Sequence, residues 1–333
     1  MEAKDVKRVA IIGAGVMGHS IAQVFSTAGI ETNLMDIKAD LLPQALKLVK
    51  ANLKTLAEYG RIKNADIPAI VKRIHPTTEL AEAVRGVDFV LEAVLEVPDI
   101  KKKLFQQLDK SCSEQTVLAS NSSGLDIFNL IEIRNPSRFV AAHWFAPPHI
   151  IPLVEVAPGP KTSPDAVQFT AKLMERIGKR PVVHKKFFQR YIVNRLQHAM
   201  IPVIIDMIEN DLASPEDIDY AVKTTLGIRL PIVGVAQSMD FNGLRVVRDV
   251  CRSLGIKSRL IEERVEQGYL GPVSSKGIYD YGGRSEEEVL RKRDMLYLKM
   301  IDHLENIEAF KPVSGIRKLA SSKRFFVIVQ LAL

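Results

Sequence analysis

Gly13-Ala14-Gly15-Val16-Met17-Gly18 follows the apolar run Arg8–Ile12 without a break and opens an amphipathic stretch. A strand, a glycine-rich turn and a helix in that order narrow the fold sharply. Gly13 permits the tight turn, Gly15 lets a pyrophosphate approach the backbone, and Gly18 lets helix and strand pack closely. The helix start then offers unpaired N–H groups and a partial positive charge to phosphate. A second run, Glu31–Asp36, ends in an acid 18 residues beyond Gly18. A carboxylate there accepts hydrogen bonds from both ribose hydroxyls of NAD and repels a 2′-phosphate, so the expected cofactor is NAD rather than NADP. Gly13, Gly15, Val16, Met17, Gly18 and Asp36 are the expected cofactor-binding residues of this region.

Further apolar runs at Val87–Ala93, Thr116–Ser120, Arg138–Ala142, Leu153–Val156 and Arg180–His184 alternate with helical patterns. That alternation predicts crossover units and a mostly parallel sheet covered on both faces. Two helices are punctuated: Pro98 opens one, and Ser163-Pro164 opens another that stops before Gly178. From about Phe187 the strand signals end. A long helical pattern, YIVNRLQHAMIPVIIDMIEN, is predicted to bend at Pro202, then Ser214-Pro215-Glu216-Asp217 reads as a cap and Gly227 as a stop. The expected organisation is an α/β domain over residues 1–186, a helical domain over 187–310 and a tail over 311–333.

The tail holds Lys311, Arg317, Lys318, Lys323 and Arg324 and no acid, five of the seven net positive charges. The body is therefore nearly neutral and carries no nucleic-acid signature; the tail reads as a solvated extension whose end docks on the fold or on a partner subunit. The two cysteines, Cys112 and Cys251, have no metal-ligand or disulfide-scaffold spacing, so no metal site is expected. No stretch approaches the ~18 apolar residues of a membrane span, and the opening MEAKDVKRVAIIG lacks a secretory pattern. The expectation is a cytoplasmic protein without membrane partners.

Oxidising an alcohol with a nicotinamide requires a base that works near pH 7, usually histidine, whose basicity a carboxylate raises. Of seven histidines, His143 ends the run RFVAA, and strand ends at the carboxyl edge of a parallel sheet are where ligands bind. Glu155 ends the run PLVEV, and a charge inside such a run is rarely buried alone. A His143–Glu155 pair is the expected reading. His149 and His198 are weaker pocket candidates.

The fingerprint, NSSGLDI, AAHWFAPPHIIPLVEV, YIVNRLQ, SPEDID and SSKGIYDY together resemble the 3-hydroxyacyl-CoA dehydrogenase family from about Lys7 to Tyr281. The resemblance implies a Rossmann-like NAD domain, an all-helical C-terminal domain that forms a homodimer, and oxidation of (S)-3-hydroxyacyl-CoA to 3-oxoacyl-CoA. It implies that His143 is the general base, Glu155 its orienting acid, Ser122 a contact to substrate and cofactor, and Asn194 a group that polarises the substrate. Glu96 and Lys101 match NAD-contacting positions. There are departures: Ala146 replaces an asparagine, the bulky Phe187–Tyr191 replaces a glycine-containing approach, and Val273 replaces a lysine. PPHIIPLVEV and NRLQ lean towards a branch with L-gulonate 3-dehydrogenase (related to lambda-crystallin) and carnitine dehydrogenase, which act on free acids. Two alternatives therefore stand beside the CoA substrate: a free 3-hydroxy acid, and an NAD-binding structural or sensor protein without turnover.

Overall fold

The computed structural model describes residues 2–312, so most of the expected tail lies outside the described residues. These form two compact units, one up to Met200 and one from Ile201 onward. The first is built on eight strands: β1 (Arg8–Ile12), β2 (Glu31–Met35), β3 (Ile74–Thr77), β4 (Phe89–Glu92), β5 (Val117–Ser120), β6 (Phe139–Trp144), β7 (Leu153–Pro158) and β8 (Arg180–Val183). Their order in the sheet is β3-β2-β1-β4-β5-β6-β7-β8. Every pairing is parallel except β6 with β7. Only residues 145–152 separate those two strands, too few for the crossover a parallel pair needs, so the chain turns back on itself.

Alternation along the strands divides the core. On β6, Val140, Ala142 and Trp144 join one cluster with Val9, Ile11 and Phe25, whereas Phe139 and Ala141 join the other with Ala10, Ile12 and Phe105. The strand continues two residues past the expected Ala142, because ladder pairing with β7 holds through Trp144 opposite Val154. His143 is thereby buried within a ladder rather than placed at a free strand end.

The expected helix punctuation is present at most positions. Pro98 opens the helix Pro98–Ser111, and Ser163 Oγ accepts from Ala166 N at 3.1 Å before the helix Pro164–Arg176. The long helix Tyr191–Glu209 contains Pro202, and Ser214 caps Pro215–Thr224. Two expectations require correction. Strand β3 was not anticipated, since IHPT carries a proline; it is tolerated because β3 is the sheet's edge. Gly227 is not a stop: it lies in the first turn of the helix Leu226–Asn242, and the break falls at Thr225, with φ −126° and ψ −75°. The second unit contains no strand among its described residues. In it the buried Asp240, on the helix Leu226–Asn242, accepts from Ile278 N, Tyr279 N and the Tyr281 hydroxyl of a non-helical segment.

The close approach of β1 to its following helix depends on Gly18: a Cβ there would stand 1.6 Å from Gly13 O. Gly18→Ala should therefore force strand and helix apart, at a cost of about 1–3 kcal/mol or more by analogy with overpacked cores. Urea unfolding checks this, and an unchanged midpoint contradicts the packing argument.

Candidate active site

The turn after β1 is shaped for a close ligand. Gly13 has φ +105°, and a Cβ on it would lie 2.6 Å from Ala93 O. At Gly15 the space a Cβ would fill is open, and neighbouring Val16 is 77% exposed. Met17 is the N-cap of the helix Gly18–Thr27. Asp36, directly after β2, accepts from Ala14 N (2.8 Å) through Oδ2 and from Lys38 N (3.0 Å) through Oδ1. One bond per oxygen leaves lone pairs on both for further donors. An open cradle, a helix start and a half-exposed carboxylate with acceptor capacity fit a dinucleotide with a free 2′-hydroxyl.

At the end of β4 a chain of buried charges begins. Lys101, 1% exposed, reaches Glu92 Oε1 at 2.5 Å and Glu96 Oε2 at 3.1 Å, with Val94 O as a further acceptor. Its three donors are thus all engaged within the protein. Burial pushes the Glu92 carboxyl upward against the pull of Lys101 and Ser120. Glu96 Oε1 accepts from Ser122 Oγ at 2.5 Å and from the backbone N–H groups of Ser123, Gly124 and Leu125 at 2.9–3.2 Å. Burial opposes charge on Glu96, but those donors and Lys101 outweigh it and hold its carboxyl at about 2. Glu96 therefore anchors the loop after β5, and the Ser122 proton points at it.

The second cluster straddles β6 and β7. The antiparallel register sets His143 directly opposite Glu155, so the two side chains share a face. His143 Nδ1 lies 3.3 Å from Glu155 Oε2. Glu155 Oε1 accepts from Ile192 N at 2.8 Å, in the first turn of the helix Tyr191–Glu209, and faces His184 Nε2 at 3.4 Å. Burial raises the Glu155 carboxyl, yet His143, His184 and the Ile192 N–H together bring it down to about 2. Tyr191, 1% exposed, stacks on His143 with ring centres 4.6 Å apart and planes 7° from parallel. Its hydroxyl donates to Ser122 O at 3.0 Å. Arg190 and Tyr191 both have positive φ, 68° and 50°. Strain of this kind costs about 1–3 kcal/mol per residue and persists where the surroundings over-determine it.

The structure thus brings His143 together with Glu155, and Ser122 with Glu96 and Lys101. Asn194 is half-buried in the same helical turn as Ile192 and forms no side-chain hydrogen bond among the described residues. His149 lies with Ser20 Oγ (2.8 Å) against the helix Gly18–Thr27. His184 and the Tyr191–Ser122 link were not anticipated. The available signal was the histidine that follows β8, the strand next to the one that carries Glu155.

An NAD-binding parallel sheet with a histidine–carboxylate pair near its carboxyl edge defines a nicotinamide-dependent dehydrogenase class. Residues 8–187 match the 3-hydroxyacyl-CoA dehydrogenase NAD-binding domain, and residues 191–281 match the C-terminal domain of the same family. The chain belongs to the 3-hydroxyacyl-CoA dehydrogenase family, and its cofactor is NAD. It is 36% identical to rabbit (Oryctolagus cuniculus) lambda-crystallin over 236 residues, which is 70% of this chain and 74% of the relative. It is 33% identical to the probable 3-hydroxybutyryl-CoA dehydrogenase of Bacillus subtilis over 290 residues, 83% of this chain and 98% of that one. Among solved structures, the 3-hydroxyacyl-CoA dehydrogenase of Archaeoglobus fulgidus is similar with TM-score 0.73 and 28% identity, covering 90% of this chain and 99% of that chain. Among the described residues, no helix is long and apolar enough to cross a membrane.

The low carboxyl of Glu155 predicts an acid limit on stability. A carboxyl held below its ordinary 4.5 in the folded state contributes stability that is complete above 4.5 and is lost as pH falls towards about 2. The stability gap between wild type and Glu155→Gln should therefore be widest at neutral pH and narrow below 4.5. Denaturant titrations at pH 7, 5 and 3.5 check this, and a gap that ignores pH would contradict it.

Proposed function

We propose that the protein oxidises the 3-hydroxyl of an (S)-3-hydroxyacyl-CoA, with His143 as the general base. The observation that carries this reading is the buried His143–Glu155 pair, in which a charged carboxylate keeps the Nδ1 proton in place and leaves Nε2 free to accept one. NAD⁺, when bound, accepts the hydride that leaves C3. Gly13, Gly15, Val16, Met17, Gly18 and Asp36 would hold it, with Glu96 and Ser122 on the nicotinamide side. Lys101 acts through Glu96, since its own donors are already engaged.

As the hydroxyl proton moves to Nε2, His143 becomes an imidazolium. Glu155 stabilises that charge in a site where water does not screen it, and the Tyr191 ring face adds a cation–π contribution. Ser122 gives its proton to Glu96, so towards the substrate it offers lone pairs, acting as an acceptor rather than the carbonyl donor the residue type alone suggests. Asn194, with its amide uncommitted, is the group left to donate to the substrate oxygen. The exposed Lys47, Lys50 and Lys54 on the helix Leu41–Glu58, where Glu58 is the only acid, support a phosphate-bearing acyl carrier.

A free 3-hydroxy acid is the second reading, favoured by a relative whose name carries no CoA. This is the 5-formyl-3-hydroxy-2-methylpyridine 4-carboxylate 5-dehydrogenase of Mesorhizobium japonicum, 30% identical over 285 residues, 83% of this chain and 91% of that one. A non-catalytic sensor would not need an imidazole stacked on a ring and set against a buried carboxylate in this way. We also propose a homodimer, supported by the exposed Val203, Ile205 and Ile208 in the second unit.

NADH oxidation should proceed with acetoacetyl-CoA and longer 3-oxoacyl-CoAs. Turnover with free 3-oxo acids alone would reverse the choice of carrier. His143→Ala should lower turnover by about 10²–10⁴-fold, the usual worth of a positioned general base, with NADH affinity unchanged by calorimetry. Asp36→Ala should do the opposite, weakening NADH at least tenfold, about the 1.4 kcal/mol that one or two lost hydrogen bonds supply.

A further inference from the structure

Glu155 has two imidazoles on it, and the reaction as described uses one. His184 follows β8 and is held by a backbone bond from its N–H to Val156 O at 2.8 Å. Its side chain is 2% exposed, and neither ring nitrogen completes a hydrogen bond among the described residues. A buried imidazole left in that condition is costly, and an apolar side chain would fill the space against Phe188 more cheaply. What distinguishes histidine here is Nε2, 3.4 Å from Glu155 Oε1. The ring is already oriented, since it stacks on Phe188 with centres 4.9 Å apart and planes 4° from parallel.

We propose that His184 is a positioning residue for hydride transfer: with the Ile192 N–H it holds Glu155 Oε1, so that Oε2 stays on His143. This rests on His143 as the base. The charged and titratable groups around His184 are few. Glu155 faces it from β7, with His143 across that carboxylate from β6. Tyr191, at 5.9 Å, gives its phenol proton to Ser122 O. Arg195 lies over the Phe188 ring at 5.6 Å, and Lys185 and Lys186 follow in the chain.

One carboxylate cannot fully stabilise two imidazolium ions, so a charge on one ring would compete with a charge on the other for Glu155. A neutral His184 donating to Oε1 steadies the carboxylate and draws some of its charge away from His143. A charged His184 draws away much more, which weakens Glu155 as the partner of the imidazolium formed in the reaction. His184 therefore governs how much of the Glu155 charge is available to the base.

His184→Asn keeps a polar side chain but is too short to reach Oε1, while His184→Gln places its amide near the position of Nε2. In the oxidative direction, His184→Asn should lower kcat about tenfold, the worth of about 1.4 kcal/mol. It should also move the acid limb of kcat/KM upward by about half a pH unit, because Glu155 then serves His143 alone. KM for NAD should stay within about twofold, and His184→Gln should restore both kcat and the limb. Ring-nitrogen NMR of the NADH-bound wild type provides a reading that needs neither turnover nor a variant: His143 and His184 should titrate as a coupled pair. A folded His184→Asn with the wild-type pH profile overturns the proposal, as does failure of His184→Gln to restore it or independent single-step titrations of the two rings. Wild-type turnover in His143→Ala would instead overturn the assignment of the base, and the ring titration would still report on the coupling.

Discussion

A carboxylate kept charged where almost no water reaches it governs the arrangement of this site. Glu155 is 1% exposed, and stripping an ion of its water is costly unless every lone pair finds a donor. Its partners come from three parts of the chain: β6 supplies His143, the first turn of the helix Tyr191–Glu209 supplies the Ile192 N–H, and His184 at the end of β8 approaches Oε1 to 3.4 Å without completing a hydrogen bond. Each depends on a feature of the fold. The eight-residue return between β6 and β7 makes that pairing antiparallel and sets the register. The parallel β8 places its end beside β7. Two consecutive residues in left-handed backbone, Arg190 and Tyr191, turn the chain so that the helix presents an N–H to the acid. Neither is glycine, so the turn stores strain that the stacking of Tyr191 and the bond from Ile192 must offset.

Much of this was legible in residue order because it rests on local signals. The strands read as short apolar runs, most of them buried on both faces, and seven of the eight stood out. The glycine turn and Asp36 sit at fixed offsets along a strand–turn–helix unit. Glu155 was conspicuous because an acid amid apolar neighbours implies a partner. What escaped notice depends on tertiary context. Strand β3 contains Pro76, tolerable only at an edge that no local pattern identifies. Glu92 also lies in an apolar run, but its partner Lys101 belongs to a helix whose rotation about its axis the spacing leaves open. His184 adjoins Glu155 only because β8 pairs with β7. The direction of the Ser122 proton depends on where Glu96 falls, 26 residues earlier.

Family membership and chemistry here separate from substrate identity. The relatives carry names with and without CoA on one framework, as expected when function resides in a site grafted on a fold. The proposed base and its acid act on a hydroxyl and the hydrogen beside it, and those atoms are common to both substrate classes. Under the proposed function the carrier would be read elsewhere, by charged side chains such as the lysines of the helix Leu41–Glu58 and by position 146 in the loop after β6, where alanine offers no polar contact. Divergence at such positions would change what binds without disturbing the buried histidine–carboxylate pair, whose loss would cost stability as well as rate.

Two carboxylates, Glu96 and Glu155, solve the same problem in the same way. Glu155 is buried and Glu96 lies at the surface, yet each is held low by converging donors, and each orders the segment that supplies those donors, the loop after β5 in one case and a helix start in the other. Tyr191 connects them: its ring lies on His143 and its hydroxyl grips Ser122 O. The proposed base and the loop expected beside the nicotinamide are therefore held by one side chain. Displacing that ring by an ångström would disturb proton acceptor and hydride acceptor together, and positioning errors of that size cost rate steeply. A strained backbone at Tyr191 is thus accounted for by its neighbours on both sides, each of which needs the ring where it stands.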